Sequence, residues 1–294
     1  MRYRVVHKTD YTYAQPVALG HNETHLRPRS FESQRCLSHQ LEIEPQPAVL
    51  SEREDFFGNR VSYFSIQHSH SRLSVTATSE VELQERIRPP ADAASSSWEG
   101  TAARLARECT SEVLDARSYV LDSPLVSPSA EIARYAAAFF PPGRSLIEAV
   151  HELMERIHRD FVYDSGSTMV ATPLSAVFEH RRGVCQDFAH LAIACLRSQG
   201  LAARYVSGYL ETFPPPGWDK LIGADASHAW FSVYDPVLGW LDFDPTNNQI
   251  PADRHITVAW GRDYSDITPL KGVIYSGGHH QAAVSVEVTN LTVS

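Results

Sequence analysis

The sequence predicts an α+β fold, in which an all-β, sandwich-like N-terminal domain precedes a core made of a cysteine-bearing helix packed on an antiparallel sheet. In residues 1–90, apolar and polar residues alternate with the period of half-buried strands. A helical pattern of apolar residues follows Cys185, and from Ala203 onward the period is again that of strands. Strands that flank a helical segment in this order are typical of an α+β protein.

The N-terminal strands are visible as short alternating runs. Apolar and polar residues alternate from Leu37 to Glu44 and from Leu73 to Leu83, and Gly58-Asn59 marks a turn between these runs. Several short strands at this spacing predict an antiparallel sandwich or barrel-like module. Its polar residues form no cluster typical of a catalytic site, so its predicted role is at most to bind a protein partner.

A linker is predicted at residues 91–97, because Pro89-Pro90 is followed there by small and polar residues without periodicity. We therefore place the N-terminal domain at residues 1–90 and the core at residues 98–275. Residues 276–294 alternate again through Val284, Val286 and Val288. We expect this C-terminal strand to pair with the N-terminal domain, because an isolated strand leaves its backbone groups without partners.

The core opens with helices that lead to the most informative stretch, residues 182–190. After Cys185, apolar residues recur at helical spacing from Phe188 to Leu196. Cys185 therefore lies at a helix start, where unpaired N–H groups and a partial positive charge favour a thiolate. Gly183 permits a tight entry with no Cβ near the thiol. Such a cysteine becomes a candidate nucleophile if the chain also supplies a histidine and an acid.

A predicted hairpin at residues 228–244 supplies both. Across its five-residue connection, Tyr234 is expected to pair with Trp240. This register places Asp244 diagonally beside His228 on the same face, within reach of a side-chain contact. Asp242 shares that face and is the rival acid.

Cys185, His228 and Asp244 together suit covalent acyl transfer. A thiolate attacks the carbonyl carbon, an imidazolium protonates the departing amine, and a carboxylate holds one histidine tautomer. The N–H of Cys185 is the predicted oxyanion donor. His190 lies about 140° around the helix axis from Cys185, so we interpret it as a surface or packing histidine rather than the base.

Composition excludes several other classes of function. The net charge of −9 gives no footprint for nucleic acid or an anionic membrane. Residues 1–8 contain no signal-peptide core, and no apolar run approaches the roughly 20 residues that span a bilayer. The four cysteines are scattered without a CxxC pair, which favours a cytoplasmic location. No HExxH spacing or glycine-rich phosphate loop is present, so neither a metal nor a cofactor is expected.

The chain resembles the bacterial transglutaminase-like superfamily, whose members are often described as cysteine proteases. The opening segments 7–13 and 25–29 resemble the β-rich region that precedes the family's core. Four ordered motifs resemble the core itself: Gly183–Ala189, Ala203–Tyr209, Ser227–Trp230 and Trp240–Asn247.

The resemblance implies a papain-like α+β core, with the cysteine at a helix N-terminus and the histidine and aspartate on adjacent strands. The family's aspartate falls on Asp244 rather than on Asp242. Tyr163 is the candidate counterpart of the family's aromatic oxyanion donor. No calcium requirement is implied.

The predicted function is thiol-dependent acyl transfer on peptide or protein amide bonds through a thioester, with hydrolysis slightly favoured over transamidation. The triad is the same for both outcomes, so only the cleft decides between water and an amine as the acceptor. The alternative is a non-catalytic module that binds a peptide or a partner. The intact set of Cys185, His228 and Asp244 argues against that alternative.

Overall fold

The computed structural model describes residues 1–84, 96–212 and 227–292, so residues 91–95 of the predicted linker lie outside the described residues. The chain forms strands and helices in an α+β arrangement, which confirms the predicted fold class. Within the described ranges, no helix is both long and apolar enough to cross a membrane.

The elements follow one another in a simple order, with strands at both ends and helices between them. The strands are β1 (Arg2–Thr24), β2 (Gln34–Glu44), β3 (Val49–Glu54), β4 (Arg60–Ile66), β5 (His70–Leu83), β6 (Val162–Tyr163), β7 (Arg182–Gly183), β8 (Ala203–Leu210), β9 (Ser227–Asp235), β10 (Gly239–Phe243), β11 (His255–Gly261), β12 (Leu270–Ser276) and β13 (His280–Asn290). The helices are α1 (Trp98–Arg107), α2 (Ser111–Arg117), α3 (Ala130–Ala137), α4 (Leu146–Asp160), α5 (Leu174–His180) and α6 (Cys185–Ser198).

One long strand organises the N-terminal sheet. The 23-residue β1 lies inside a seven-stranded sheet of order β2-β5-β1-β4-β3, and β12 and β13 also pair with it. β13 runs antiparallel to β1 from Tyr3 to Tyr13, and β12 from Val17 to Thr24. Both ends of the chain therefore share a sheet, and the domain limits drawn at residues 90 and 98 stay a prediction.

The core is built around α6, which is buried along nearly its whole length. A helix that is buried on all sides needs neighbours on all sides. The helices α3, α4 and α5 contact it, and a four-stranded sheet of order β10-β9-β8-β11 also packs against it. Tyr3 and Val5 from β1 and Val286 and Val288 from β13 belong to the same hydrophobic cluster. The N-terminal sheet thus helps to close the core that holds the cysteine helix.

Two side-chain amides bind the outer edge of β11 in the way that a further strand would. Gln34 donates from Nε2 to the Thr257 carbonyl at 2.7 Å and accepts from the Thr257 N–H at 2.8 Å. Asn59 makes the same reciprocal pair with Trp260, at 2.8 and 3.0 Å. Both amides are almost fully buried. They join the N-terminal sheet to the sheet that carries the candidate site.

We predict that Gln34→Leu destabilises the protein by about 2–5 kcal/mol, because each buried polar group that loses its partner costs about 1–3 kcal/mol. The change removes both bonds to Thr257 and a third to the Arg29 carbonyl. Urea denaturation would measure the loss as a lower midpoint at constant slope. The matched control is Gln40→Leu, an exposed position on the same strand whose amide donates to the Glu42 side chain. Equal midpoints for the two variants would contradict the prediction.

Candidate active site

The start of α6 is shaped by the carboxylate of Asp187. Its Oδ2 accepts hydrogen bonds from the Val184 N–H at 2.8 Å and from Thr168 Oγ1 at 2.7 Å. A Cβ added to Gly183 would lie 2.8 Å from both the Cβ and the Oδ2 of Asp187. Glycine is therefore needed at this position to leave space for the Asp187 carboxylate. The sequence analysis predicts instead that Gly183 leaves space for the Cys185 thiol. Cys185 follows as the first residue of the helix and is partly exposed.

The predicted hairpin register is confirmed. Trp240 pairs with Tyr234 and Phe243 with Phe231. α6 packs on the face of the sheet that carries Ala229, Phe231 and Val233. His228 belongs to the opposite parity, but it is only the second residue of β9. Its ring therefore lies at the end of the strand, close enough to Cys185 for the cysteine to help raise the pKa of the imidazole.

Asp244 is fully buried one residue beyond β10 and is surrounded by donors. Its Oδ1 accepts from the N–H groups of Thr246 at 3.0 Å and Asn247 at 3.2 Å. Its Oδ2 accepts from His228 Nε2 at 2.8 Å, from Asn247 Nδ2 at 2.8 Å and from His255 Nε2 at 3.1 Å. The Asp-Pro-Thr-Asn turn thus wraps the carboxylate and directs one oxygen at His228.

The electrostatics of His228 and Asp244 are those of an ion pair. Burial alone would lower the pKa of His228, but the hydrogen bonds to Asp244 and Cys185 outweigh it and raise this pKa to about 10. Burial alone would raise the pKa of Asp244, but the hydrogen bonds from His228, His255 and Asn247 hold it well below its usual range. Because Nε2 of His228 is bound to Asp244, Nδ1 is the nitrogen available to the thiol. This arrangement can keep a proton on the imidazole that faces Cys185.

The rival groups are engaged elsewhere. Asp242 accepts a short hydrogen bond from Ser232, the residue directly opposite it on β9. His190 is buried and accepts from the Tyr264 N–H at 3.2 Å, as a packing histidine would. Cys195 is also buried, and burial raises the pKa of its thiol far above the usual value. None of these groups competes with the Cys185, His228 and Asp244 set.

The sequence alone assigns no role to two residues of this network. His255, the first residue of β11, stands alone in an apolar strand. Asn247 lies in the turn after Asp244 and is named by the family motif without a role. Only the pairing of β11 with β8, and of β8 with β9, brings His255 to the carboxylate. A search for histidines near the triad in sequence would have missed it.

One group within the described part of the chain has the spacing of metal ligands. His228, Asp244 and His255 each offer an atom, and these atoms lie within 4.8 Å of one another. The same atoms already hydrogen bond to each other, and the Asn247 amide donates to the shared Oδ2. Because three N–H donors converge on one anionic oxygen, we interpret the group as a hydrogen-bond network.

Two family models match the chain. The bacterial transglutaminase-like N-terminal region matches residues 3–82, and the transglutaminase-like superfamily matches residues 134–245. Among solved structures, a chain from Cytophaga hutchinsonii named "putative cysteine protease" is 22% identical and covers 100% of this chain and 92% of its own length, with a TM-score of 0.76. The two share a fold.

Relatives extend over the whole chain. The uncharacterized protein Rv2569c of Mycobacterium tuberculosis is 44% identical over 302 residues, which are 98% of this chain and 92% of the relative. An uncharacterized protein of Mycobacterium leprae is 34% identical over 99% of both chains. A protein-glutamine gamma-glutamyltransferase of Pseudomonas aeruginosa is 36% identical over 107 residues, which are 34% of this chain and 16% of that protein. The resemblance seen in the sequence motifs is thereby confirmed, and the chain belongs to the transglutaminase-like superfamily, with that superfamily's bacterial N-terminal region ahead of its core.

Proposed function

We propose that this protein is a thiol enzyme that transfers acyl groups from amide or peptide bonds, with Cys185 as nucleophile, His228 as acid and base, and Asp244 as the group that orients His228. The observation that carries the proposal is the 2.8 Å contact between His228 Nε2 and the buried Asp244 Oδ2, on an imidazole whose pKa Cys185 helps to raise. Membership of the transglutaminase-like superfamily supports thiol-dependent catalysis in general.

The chemistry follows from these contacts. The Cys185 sulfur forms a bond to the carbonyl carbon, and the carbonyl electron pair moves to oxygen. As the oxyanion collapses, the C–N bond breaks and the His228 imidazolium gives its proton to the departing amine. A thioester on Cys185 and a neutral His228 remain. His228 then takes the proton of the incoming water or amine, and the thioester is cleaved.

The oxyanion needs donors near the sulfur. The N–H of Cys185 opens a helix and therefore has no partner one turn earlier. We propose Tyr163 as the second donor. It pairs with Gly183 at the entry to α6, and its pKa is raised by burial and by the negative charge of Cys185, which supports its proximity to the sulfur.

We favour hydrolysis as the fate of the thioester, because water needs no dedicated second site. Transamidation is the second candidate, and the similarity of part of the core to a protein-glutamine gamma-glutamyltransferase favours it. A peptide or protein amide is the proposed substrate in both cases. A cytoplasmic location and a protein partner for the N-terminal sheet stay predictions. The four cysteines are free thiols, as is common in the cytoplasm.

The alternative of a non-catalytic binding module remains the competing hypothesis. Such a module has no need for a carboxylate buried at the cost of several kcal/mol of desolvation. The five donors on Asp244 and its aim at His228 support catalysis instead.

We predict that iodoacetamide alkylates Cys185 faster at neutral pH than it alkylates Cys36 or Cys109. His228→Ala should slow the reaction at Cys185 by about 10- to 100-fold, the factor that corresponds to the 1.5–3 kcal/mol of a charge-assisted hydrogen bond. Peptide mass spectrometry would measure all rates in one sample, so that Cys36 and Cys109 serve as internal controls. If Cys185 reacts no faster than these two, the binding-module hypothesis takes first place.

We predict that the His228 imidazolium persists to about pH 10 and that Asp244→Asn lowers this titration point. A pKa raised in the folded state stabilises the protein fully below the unfolded value of about 6.5, and the contribution is lost as pH rises from there through about 10. Asp244→Asn removes the negative charge that offsets the effect of burial on the pKa of His228. The pH range over which His228 stays protonated is therefore expected to shorten at its alkaline end. NMR titration of the His228 ring protons in both proteins would test this, and an unchanged titration point would count against the ion pair.

We predict that the acyl-enzyme partitions mainly to water. A glutamine-containing peptide and a peptide p-nitroanilide would be incubated with and without a labelled primary amine, with Cys185→Ser as the inactive control. Release of ammonia or nitroaniline without incorporation of label is expected. Incorporation that accounts for most of the released ammonia would establish transamidation instead.

A further inference from the structure

We propose that His255 is a positioning residue of this site, whose Nε2–H fixes the Asp244 carboxylate in the orientation that serves His228. The inference rests on the proposed function of Cys185, His228 and Asp244. It gives Asp244 a second histidine partner, which lies on β11 whereas His228 lies on β9.

The geometry requires His255 to be a donor. Its Nε2 lies 3.1 Å from Asp244 Oδ2, the same oxygen that accepts from His228 at 2.8 Å. The carboxylate in this site is ionised and can only accept. His255 must therefore carry a hydrogen on Nε2.

The packing holds this donor rigidly. His255 is 2% exposed and opens β11, where its backbone pairs with Leu210 of β8. Its ring meets the Trp230 indole edge to face, with centroids 5.2 Å apart. Trp230 in turn packs on the His228 ring at 6.1 Å. A single buried indole thus spaces the two histidines that share the carboxylate.

The other side-chain donors to Asp244 lie in less constrained places. Asn247 is on an exposed turn, so its amide can move away. His228 is the reacting group and must change its protonation state in each cycle. His255 is the one of these three side chains that is both buried and outside the chemistry. It is therefore suited to keep Oδ2 in place while the proton on His228 is transferred.

A purely structural role would give a different result from a positioning role. Loss of a structural histidine lowers stability but leaves the folded protein equally reactive. Loss of a positioning donor lets the carboxylate reorient, so His228 stabilises the Cys185 thiolate less well in protein that is still folded. Residues that orient the ligands of a metal site typically contribute about 10- to 100-fold to metal affinity or activity. We expect a similar factor for a residue that orients the Asp244 carboxylate.

The test compares two polar replacements that differ in reach. In His255→Gln the amide N–H can occupy the place of Nε2, whereas the shorter side chain in His255→Asn cannot. We expect the iodoacetamide rate at Cys185 to stay within a few-fold of wild type in His255→Gln and to fall about 10- to 100-fold in His255→Asn. His39→Leu is the control, because His39 lies on β2 in the N-terminal sheet and its ring hydrogen bonds to Ser79 Oγ at 2.9 Å, outside the contacts that join this sheet to β11. It should match wild type in rate.

Each outcome has a separate meaning. Equal rates in His255→Asn and His255→Gln, both folded by circular dichroism, would overturn the positioning role and leave the proposed function intact. Rapid alkylation in His255→Asn would do the same. A wild-type Cys185 no more reactive than Cys36 would instead refute the proposed function itself. The NMR signal of the His228 Nε2–H is a second readout, expected to shift in His255→Asn and to be restored in His255→Gln.

Discussion

A buried charge is the constraint on which the rest of the site depends. Asp244 is fully buried, and an ionised carboxylate taken out of water costs several kcal/mol unless donors compensate. Here the compensation comes from β9 through His228, from β11 through His255, and from the turn that follows Asp244. Three separate segments must therefore be in place before the charge is tolerated. The position of His228 is a consequence of that requirement.

The fold supplies these segments by joining distant parts of the chain. β8 lies between β9 and β11, so the strand order of the small sheet places the two histidines on either side of one carboxylate. Gly208 of β8 pairs with His228, and a Cβ there would lie 2.5 Å from the Trp230 ring. The absence of a side chain leaves room for the indole that contacts both histidines. On the far edge, Gln34 and Asn59 bind β11 through their amides and tie it to the N-terminal sheet.

This arrangement gives the N-terminal sheet a structural reason to accompany the core. Its strands β1 and β13 complete the hydrophobic cluster around α6, and its amides complete the edge of β11. Loss of the Gln34 or Asn59 amide should therefore reach the site through β11 and His255. Cys185 lies at the start of α6, away from this edge of the sheet. There Asp187 caps the helix, and Gly183 leaves space for the Asp187 carboxylate. The nucleophile and the acid are thus held by independent parts of the structure that meet at His228.

The sequence alone determined the fold class, the family, the helix start at Cys185 and the register of the 228–244 hairpin, because periodicity and turn length are local properties. It also favoured Asp244 over Asp242, because that register sets Asp244 diagonally beside His228 and the resemblance to the family agrees. The tertiary structure alone decided the rest. It showed that Gly183 is needed for Asp187, that α6 packs on the face opposite to Trp230, and that His255 binds Asp244. The packing face of α6 and the contact of His255 with Asp244 depend on which strands become neighbours and on how a sheet ends, and periodicity along the chain does not record this.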